Sequence, residues 1–168
     1  MPLRDHPYLS GRFIATAHRG GWVDPADKDR ENTIYAFTRA WALGYRVFET
    51  DVHATADGQL VAFHDSELGR ITGMAGQIGD HSWDELSSVT VAGQDRIPLM
   101  SELLAAFPDA VFNIDIKADP ATDPLAAMLA GSGDAPRVCV GSFSSARLAR
   151  FRALAPDVLT SAARLEVA

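Results

Sequence analysis

A chain of 168 residues with 47% hydrophobic and 8% aromatic content has the length and composition of one soluble globular domain. Its net charge of −7 and pI near 5.1 argue against non-specific nucleic-acid binding or adhesion to an anionic membrane, which want basic surfaces. A phosphate-bearing small substrate stays open, because one metal ion can reverse the local field. Cys139 is the only cysteine, so no internal disulfide forms, and its apolar run "RVCVGSF" marks a buried structural thiol. The N-terminal "MPLRDHPYLSGRF" has no apolar signal core and no window approaches a membrane span. The expectation is a cytoplasmic protein without a stable membrane anchor.

In chain order, "RFIATAH" (12–18) reads as a strand and "ENTIYAFTRAWALG" (31–44) as a helix ended by Gly44. "RVFETDVHA" (46–54) is the next strand, and Asp57–Gly58 turns the chain into another, "QLVAFHD" (59–65). Residues 66–97 are mixed, with a short helix near "SWDELSSV", and read as an excursion from the main layer. "LMSELLAAFP" reads as a helix capped by Ser101 with Glu102 in its first turn. Then follow strand "AVFNIDIK" (110–117), helix "DPLAAMLAGSG", strand "RVCVGSF", helix "SARLARFRALAP" and a last strand beginning in "DVLTSAARL". The polar residues between Gly21 and Glu31 read as a solvated loop, His6 and His81 as surface residues, and Trp22, Trp41 and Trp83 as packing residues, with Trp22 close enough to the mouth to touch substrate. Alternating strands and helices define an α/β protein with a largely parallel sheet, either doubly wound or a β/α barrel. No glycine-rich nucleotide-binding turn follows the first strand, which ends in "AHRGG".

Side chains alternate across a strand, so parity sorts each run into two faces. Phe48, Thr50 and Val52 oppose Val47, Glu49, Asp51 and His53; Phe112, Ile114 and Ile116 oppose Asn113, Asp115 and Lys117. Four strands each keep an apolar face for helices, while the other turns polar toward the C-terminal end. The interior of a barrel whose mouth is an active site has that pattern, and the barrel is the favoured fold.

His18, Arg19, Glu49, Asp51, His53, His64, Asp65, Asp115 and Lys117 would gather at that mouth. Three inward carboxylates, Glu49, Asp51 and Asp115, repel one another unless a cation lies between them, and oxygen ligands favour Mg²⁺ or Ca²⁺. Arg19 and Lys117 suit an anionic oxygen substrate such as a phosphate, and two histidines beside a phosphodiester supply a general base and a general acid. Taken singly, each has a plain structural role: His53 on the rim, Lys117 in a salt bridge, Asp65 orienting His64.

The pieces "AHRGG", "ENTIYAF", "ETDVHATADGQLVAFHD", "IPLMSELLAAFPDAVFNIDIK" and "VGSF", in this order, resemble the glycerophosphodiester phosphodiesterase family, a branch of the phospholipase-C-like phosphodiesterases. The resemblance implies a TIM-type (β/α)8 barrel that hydrolyses glycerophosphodiesters to glycerol 3-phosphate and an alcohol with a divalent cation. By matched position it implies His18 and His64 as the acid/base pair, Arg19 and Lys117 on the phosphate, and Glu49 and Asp51 on the metal. Asp115 stands where the family usually has glutamate; the related sphingomyelinase D group uses aspartate there, so it is kept as a ligand. Residues 66–97 correspond to a small insertion at the substrate mouth. A phospholipase-D-like or lysophospholipid-specific diesterase on the same site, or a non-catalytic phosphodiester-binding barrel, are the alternatives.

A barrel of this kind takes about 250 residues. The chain is therefore expected to be a single domain over 1–168, truncated after about six strands: a fragment of a longer protein, or one that self-associates through its open edges.

Overall fold

A computed structural model describes residues 5–9, 14–163 and 166 of the chain. Strand β1 (Thr16–His18) leads through helix α1 (Ile34–Ala42) to β2 (Val47–Ala54), the longest strand, and then to β3 (Leu60–Ala62). Residues 66–97 hold helices α2 (Gly69–Thr72) and α3 (Trp83–Leu86) and the strands β4 (Thr90–Val91) and β5 (Asp95–Arg96). The main alternation resumes with α4 (Met100–Ala106), β6 (Val111–Ile116), α5 (Thr122–Ser132), β7 (Val138–Gly141), α6 (Ser145–Leu154) and β8 (Leu159–Thr160).

The strand order β1-β2-β6-β7-β8 is parallel throughout, the progression of a β/α barrel, and among the described residues it forms an open arc with β1 and β8 outermost. The sheet's sixth strand is β3, which pairs antiparallel to β2 through Val52↔Ala62 and Ala54↔Leu60. "QLVAFHD" is therefore a hairpin arm and not a sixth stave. The turn explains why: Gly58, at φ 80°, donates its N–H to Thr55 O at 3.0 Å, folding the chain straight back. A parallel partner would need a crossover of a dozen residues or more.

Period-two burial sets the two faces of the arc. Along β6, Phe112, Ile114 and Ile116 are buried under helices, while Val111, Asn113 and Asp115 on the inner face are half-buried. The outer face packs an aromatic cluster: the Phe37 ring lies 5.0 Å from Phe48, and Phe48 lies 5.3 Å from Phe107 and 5.6 Å from Phe112. Truncating one such buried phenylalanine to alanine costs about 3–5 kcal/mol. Helix α1 presents Ala36, Phe37 and Ala40 to this cluster, starts at Thr33, whose hydroxyl accepts from Ala36 N at 3.2 Å, and is followed by Gly44 at φ 96°.

Four further expectations change in whole or in part. Helix α4 is entered from Leu99 and not capped by Ser101: it starts at the buried Met100, and the Glu102 carboxylate accepts the Leu99 N–H at 3.1 Å. His6 is buried, packed near Ala135 and Val138, because residues 5–9 lie against the sheet. The loop between Gly21 and Glu31 is solvated at Asp24, Lys28 and Asp29, as expected, but not at Arg30, which is buried, stacks 3.2 Å over the Tyr35 ring and pairs with Asp95 at 2.6 Å. Trp22 is exposed, whereas Trp41 packs on Phe48. Residues 66–97 close over an apolar cluster of their own, with Phe63, Leu68, Ile71, Ile78, Leu86, Val91 and Ile97 buried. No described helix is long and apolar enough to cross a membrane.

Candidate active site

Strand register brings the polar residues together. His18 on β1 is level with Glu49 on β2, and Glu49 with Asn113 on β6; one step on, Asp51 is level with Asp115 and Asp115 with Gly141. Arg19 follows β1 in a left-handed conformation, φ 54°, held by its N–H to Glu49 O at 2.9 Å. The next residue must be glycine: a Cβ on Gly20 would lie 2.6 Å from Ala36 Cβ, so α1 can approach only a bare backbone.

Asp51 is the centre of this network. Its carboxylate accepts from Asn32 Nδ2 at 2.9 Å and lies 3.3 Å from Arg19 Nε and 2.9 Å from Lys117 Nζ. Lys117 also bonds Asp115 at 2.8 Å. Burial would lower the lysine, but its bonds to Asp115 and Asp51 outweigh that and hold its pKa above the ordinary value. Glu49 is compensated less. Its Oε2 lies 3.3 Å from the Arg19 N–H and 3.7 Å from His18 Nε2, and burial, reinforced by the charge of Asp51, pushes its carboxyl up to about 7.

The histidines differ in setting. The His18 ring is 69% exposed, yet desolvation and the neighbouring Arg19 charge lower its pKa. His64 gives Nδ1 to Asp65 Oδ1 at 2.6 Å. Asp65 is in turn held by Arg70, and these two bonds outweigh burial and keep its carboxyl below the ordinary range. His53 is buried behind the site with Nε2 3.1 Å from His64 O, and desolvation lowers its pKa.

The fit to a cation is mixed. A buried, under-compensated Glu49, on the same face of β2 as Asp51 and two residues before the Asp51–Asp115 row, makes with them a hard-ion donor set. In this structure the Lys117 ammonium already bridges Asp51 and Asp115, and no group of three or more His, Cys, Asp or Glu residues among those described is arranged to hold a metal. The inner cleft beside them, about 290 Å³, is lined by Glu49, Asn113, Asp115, Ser142, Phe143 and Ser161.

Three participants escaped the sequence reading of the site: Glu31 pairs with Arg19 at 3.2 Å, Asn32 holds Asp51, and Arg70 reaches Asp65 and Glu31. Their signal was the "ENT" piece and the arginine five residues past His64–Asp65.

Fold and site together define a β/α-barrel-type protein with carboxylate, imidazole and cationic groups gathered at one end of its parallel strands. The chain belongs to the glycerophosphoryl diester phosphodiesterase family, whose family model matches residues 18–162. It is 37% identical over 153 residues to a probable glycerophosphodiester phosphodiesterase 2 of Mycobacterium tuberculosis, covering 90% of this chain and 57% of that protein. It is also 37% identical over 131 residues to a human lysophospholipase D, covering 69% of this chain and 40% of the relative. Among solved structures, a glycerophosphodiester phosphodiesterase from Agrobacterium tumefaciens superposes with a TM-score of 0.77 at 25% identity, over 88% of this chain and 65% of that one. An Oleispira antarctica phosphodiesterase in complex with the product sn-glycerol-3-phosphate gives 0.76 at 22% identity, over 88% and 64%, and shows likeness of fold alone. The chain thus spans about half the length of the curated relatives it matches.

Proposed function

We propose that the chain hydrolyses small glycerophosphodiesters to glycerol 3-phosphate and an alcohol. The observation that carries this is the convergence of His18, Arg19, Glu49, Asp51, His64, Asp115 and Lys117 at one end of the parallel arc, all inside the stretch matched by the family. The Arg19 guanidinium and the Lys117 ammonium supply the positive charge that holds a phosphodiester and offsets the charge gathering on it in the transition state.

Dependence on a divalent cation is general in the family. Glu49, Asp51 and Asp115 would hold it here, as Mg²⁺ or Ca²⁺, and when bound it supplies further charge neutralisation at the phosphate oxygens. The two histidines move the protons. His18, whose lowered pKa favours the neutral ring, accepts a proton from the nucleophile, either water or the substrate's own hydroxyl. His64, with Nδ1 engaged by Asp65, has its other nitrogen left to deliver a proton to the leaving alkoxide.

Residues 66–97, through Arg70, form one wall of the mouth in this reading. Self-association through the edges of β1 and β8 belongs to the same proposal and is read by sedimentation. The deciding experiment is release of glycerol 3-phosphate from glycerophosphocholine by this chain, with and without EDTA and with Mg²⁺ or Ca²⁺ restored. Cation-dependent release supports the proposal; no release with either ion overturns it.

A further inference from the structure

Arg70 lies where two separate parts of the site meet. Its Nε contacts Asp65 Oδ2 and its Nη2 contacts Glu31 Oε1, each at 2.5 Å. The other Asp65 oxygen holds His64 Nδ1 at 2.6 Å, and Glu31 Oε1 also takes Arg19 Nη1 at 3.2 Å. A continuous line His64–Asp65–Arg70–Glu31–Arg19 thus runs from the end of the β3 arm to the end of β1. Its middle member stands on a fixed platform: Leu68 and Ile71, on either side of Arg70, are buried in the apolar cluster of residues 66–97. Ile71 O accepts the Ala92 N–H at 2.7 Å, and Gly73 closes the helix at φ 74°.

The Arg70 side chain is 43% exposed, so as an ion pair it adds little to stability. Its planar fork is instead suited to fixing two carboxylates at a set angle and separation, which a single ammonium cannot do. We propose that Arg70 is a positioning residue that sets the proton-carrying His64 and the phosphate-holding Arg19 in one frame. This rests on the hydrolytic reading above. With Asp65 fixed, the His64 Nδ1–H stays engaged and the second ring nitrogen is turned to the mouth with the proton it delivers; with Glu31 fixed, the Arg19 guanidinium is aimed before substrate arrives. The same loop is gripped a second time through the Arg30–Asp95 pair at 2.6 Å, so residues 66–97 and the loop carrying Glu31 and Asn32 behave as one unit.

The test compares the parent chain with Arg70→Ala, Arg70→Lys, Asp65→Asn and, as a control remote from the site, Arg150→Ala, whose partner is the exposed Asp123. Nitrogen-15 histidine NMR reads the His64 tautomer, and calorimetry reads glycerol 3-phosphate binding. Arg70→Ala and Asp65→Asn should both lose the fixed Nδ1–H form. Arg70→Ala should also weaken glycerol 3-phosphate by roughly tenfold and lower kcat by roughly 10–100-fold, the usual effect of removing a partner that orients a ligating group. Arg70→Lys, which retains the charge and covers the case in which the alanine variant fails to fold, should restore only part of the binding and little of the tautomer. Adding Arg70→Ala to Asp65→Asn should lower kcat less than the product of the single effects. An unchanged His64 spectrum in Arg70→Ala overturns the proposal. So does weakened binding with His64 undisturbed, which would make Arg70 a direct phosphate contact. The NMR measurement needs no turnover, so a chain inactive on glycerophosphocholine would sink the hydrolytic reading and still decide the role of Arg70.

Discussion

Asn32 donates its amide to the buried Asp51 carboxylate at 2.9 Å from a backbone in the left-handed region, φ 57°. The same amide oxygen accepts the buried Thr50 hydroxyl at 2.8 Å, so one side chain satisfies two groups on neighbouring residues of β2. Asn32→Ala should therefore strand both and also keep an unfavourable φ, costing about 1–3 kcal/mol in denaturant unfolding. Asn32→Gly relieves the backbone but not the lost bonds. If the glycine variant matched the parent chain, the hydrogen bonds would carry no weight and strain alone would explain the alanine result.

Lys117 between Asp51 and Asp115 bears on the metal reading. Replacing it by alanine leaves the two carboxylates without their ammonium, so the protein without added cation should melt lower than the parent. Mg²⁺ or Ca²⁺ should then raise the melting temperature of Lys117→Ala more than that of the parent, because the ion no longer competes with the lysine. Ligand-linked stabilisation of this kind is read directly by a thermal shift titration. Indifference of both proteins to millimolar cation would exclude the carboxylate set as a metal site.

His18→Ala and His64→Ala should each lower kcat by roughly 10²–10⁴, the usual contribution of a positioned acid or base. The double variant should lose less than the product, since the pair acts as a unit. His53 is different: buried, with Nε2 on the His64 carbonyl, it should cost stability when truncated and reduce kcat far less. A His53→Ala variant more impaired in kcat than either of the others would mean that the proton-transfer roles have been given to the wrong rings.

What was legible in the sequence follows from what has a period. Alternation along β2 and β6 separated Phe48, Phe112 and Ile114 from Glu49 and Asp115, and the structure keeps those faces. The Asp57–Gly58 turn was legible too, but not its consequence, since a three-residue arm reads alike whether it pairs parallel or antiparallel. Strands β4 and β5, at two residues each, are too short to show alternation. Glu31, Asn32 and Arg70 act from loop and short-helix positions where no repeat points to a partner. Arg30 looked solvated for the same reason: the residue that buries it, Asp95, lies 65 positions away.

Cys139 allows a prediction independent of substrate or metal. On β7 it sits level with Asn113 of β6, 2% exposed, and burial pushes its thiol from 9.0 up to about 11. An unfolded chain ionises this thiol first, so between those values the unfolded state holds fewer protons than the folded one. Stability must then fall as pH rises, by up to about 1.4 kcal/mol per unit and about 3 kcal/mol in all. Below pH 9 the thiol contributes no such slope. Cys139→Ala removes this component together with the part of the Tyr8 shift that comes from the thiolate's charge, while the burial that raises the Tyr8 hydroxyl stays in both proteins. Denaturant midpoints at pH 8, 9, 10 and 11 should drop more steeply for the parent chain than for the variant. The native thiol should also resist iodoacetamide at pH 8 until the chain is unfolded. Parallel midpoint curves, or alkylation of the native protein at the rate of a free thiol, would show that β7 does not bury Cys139.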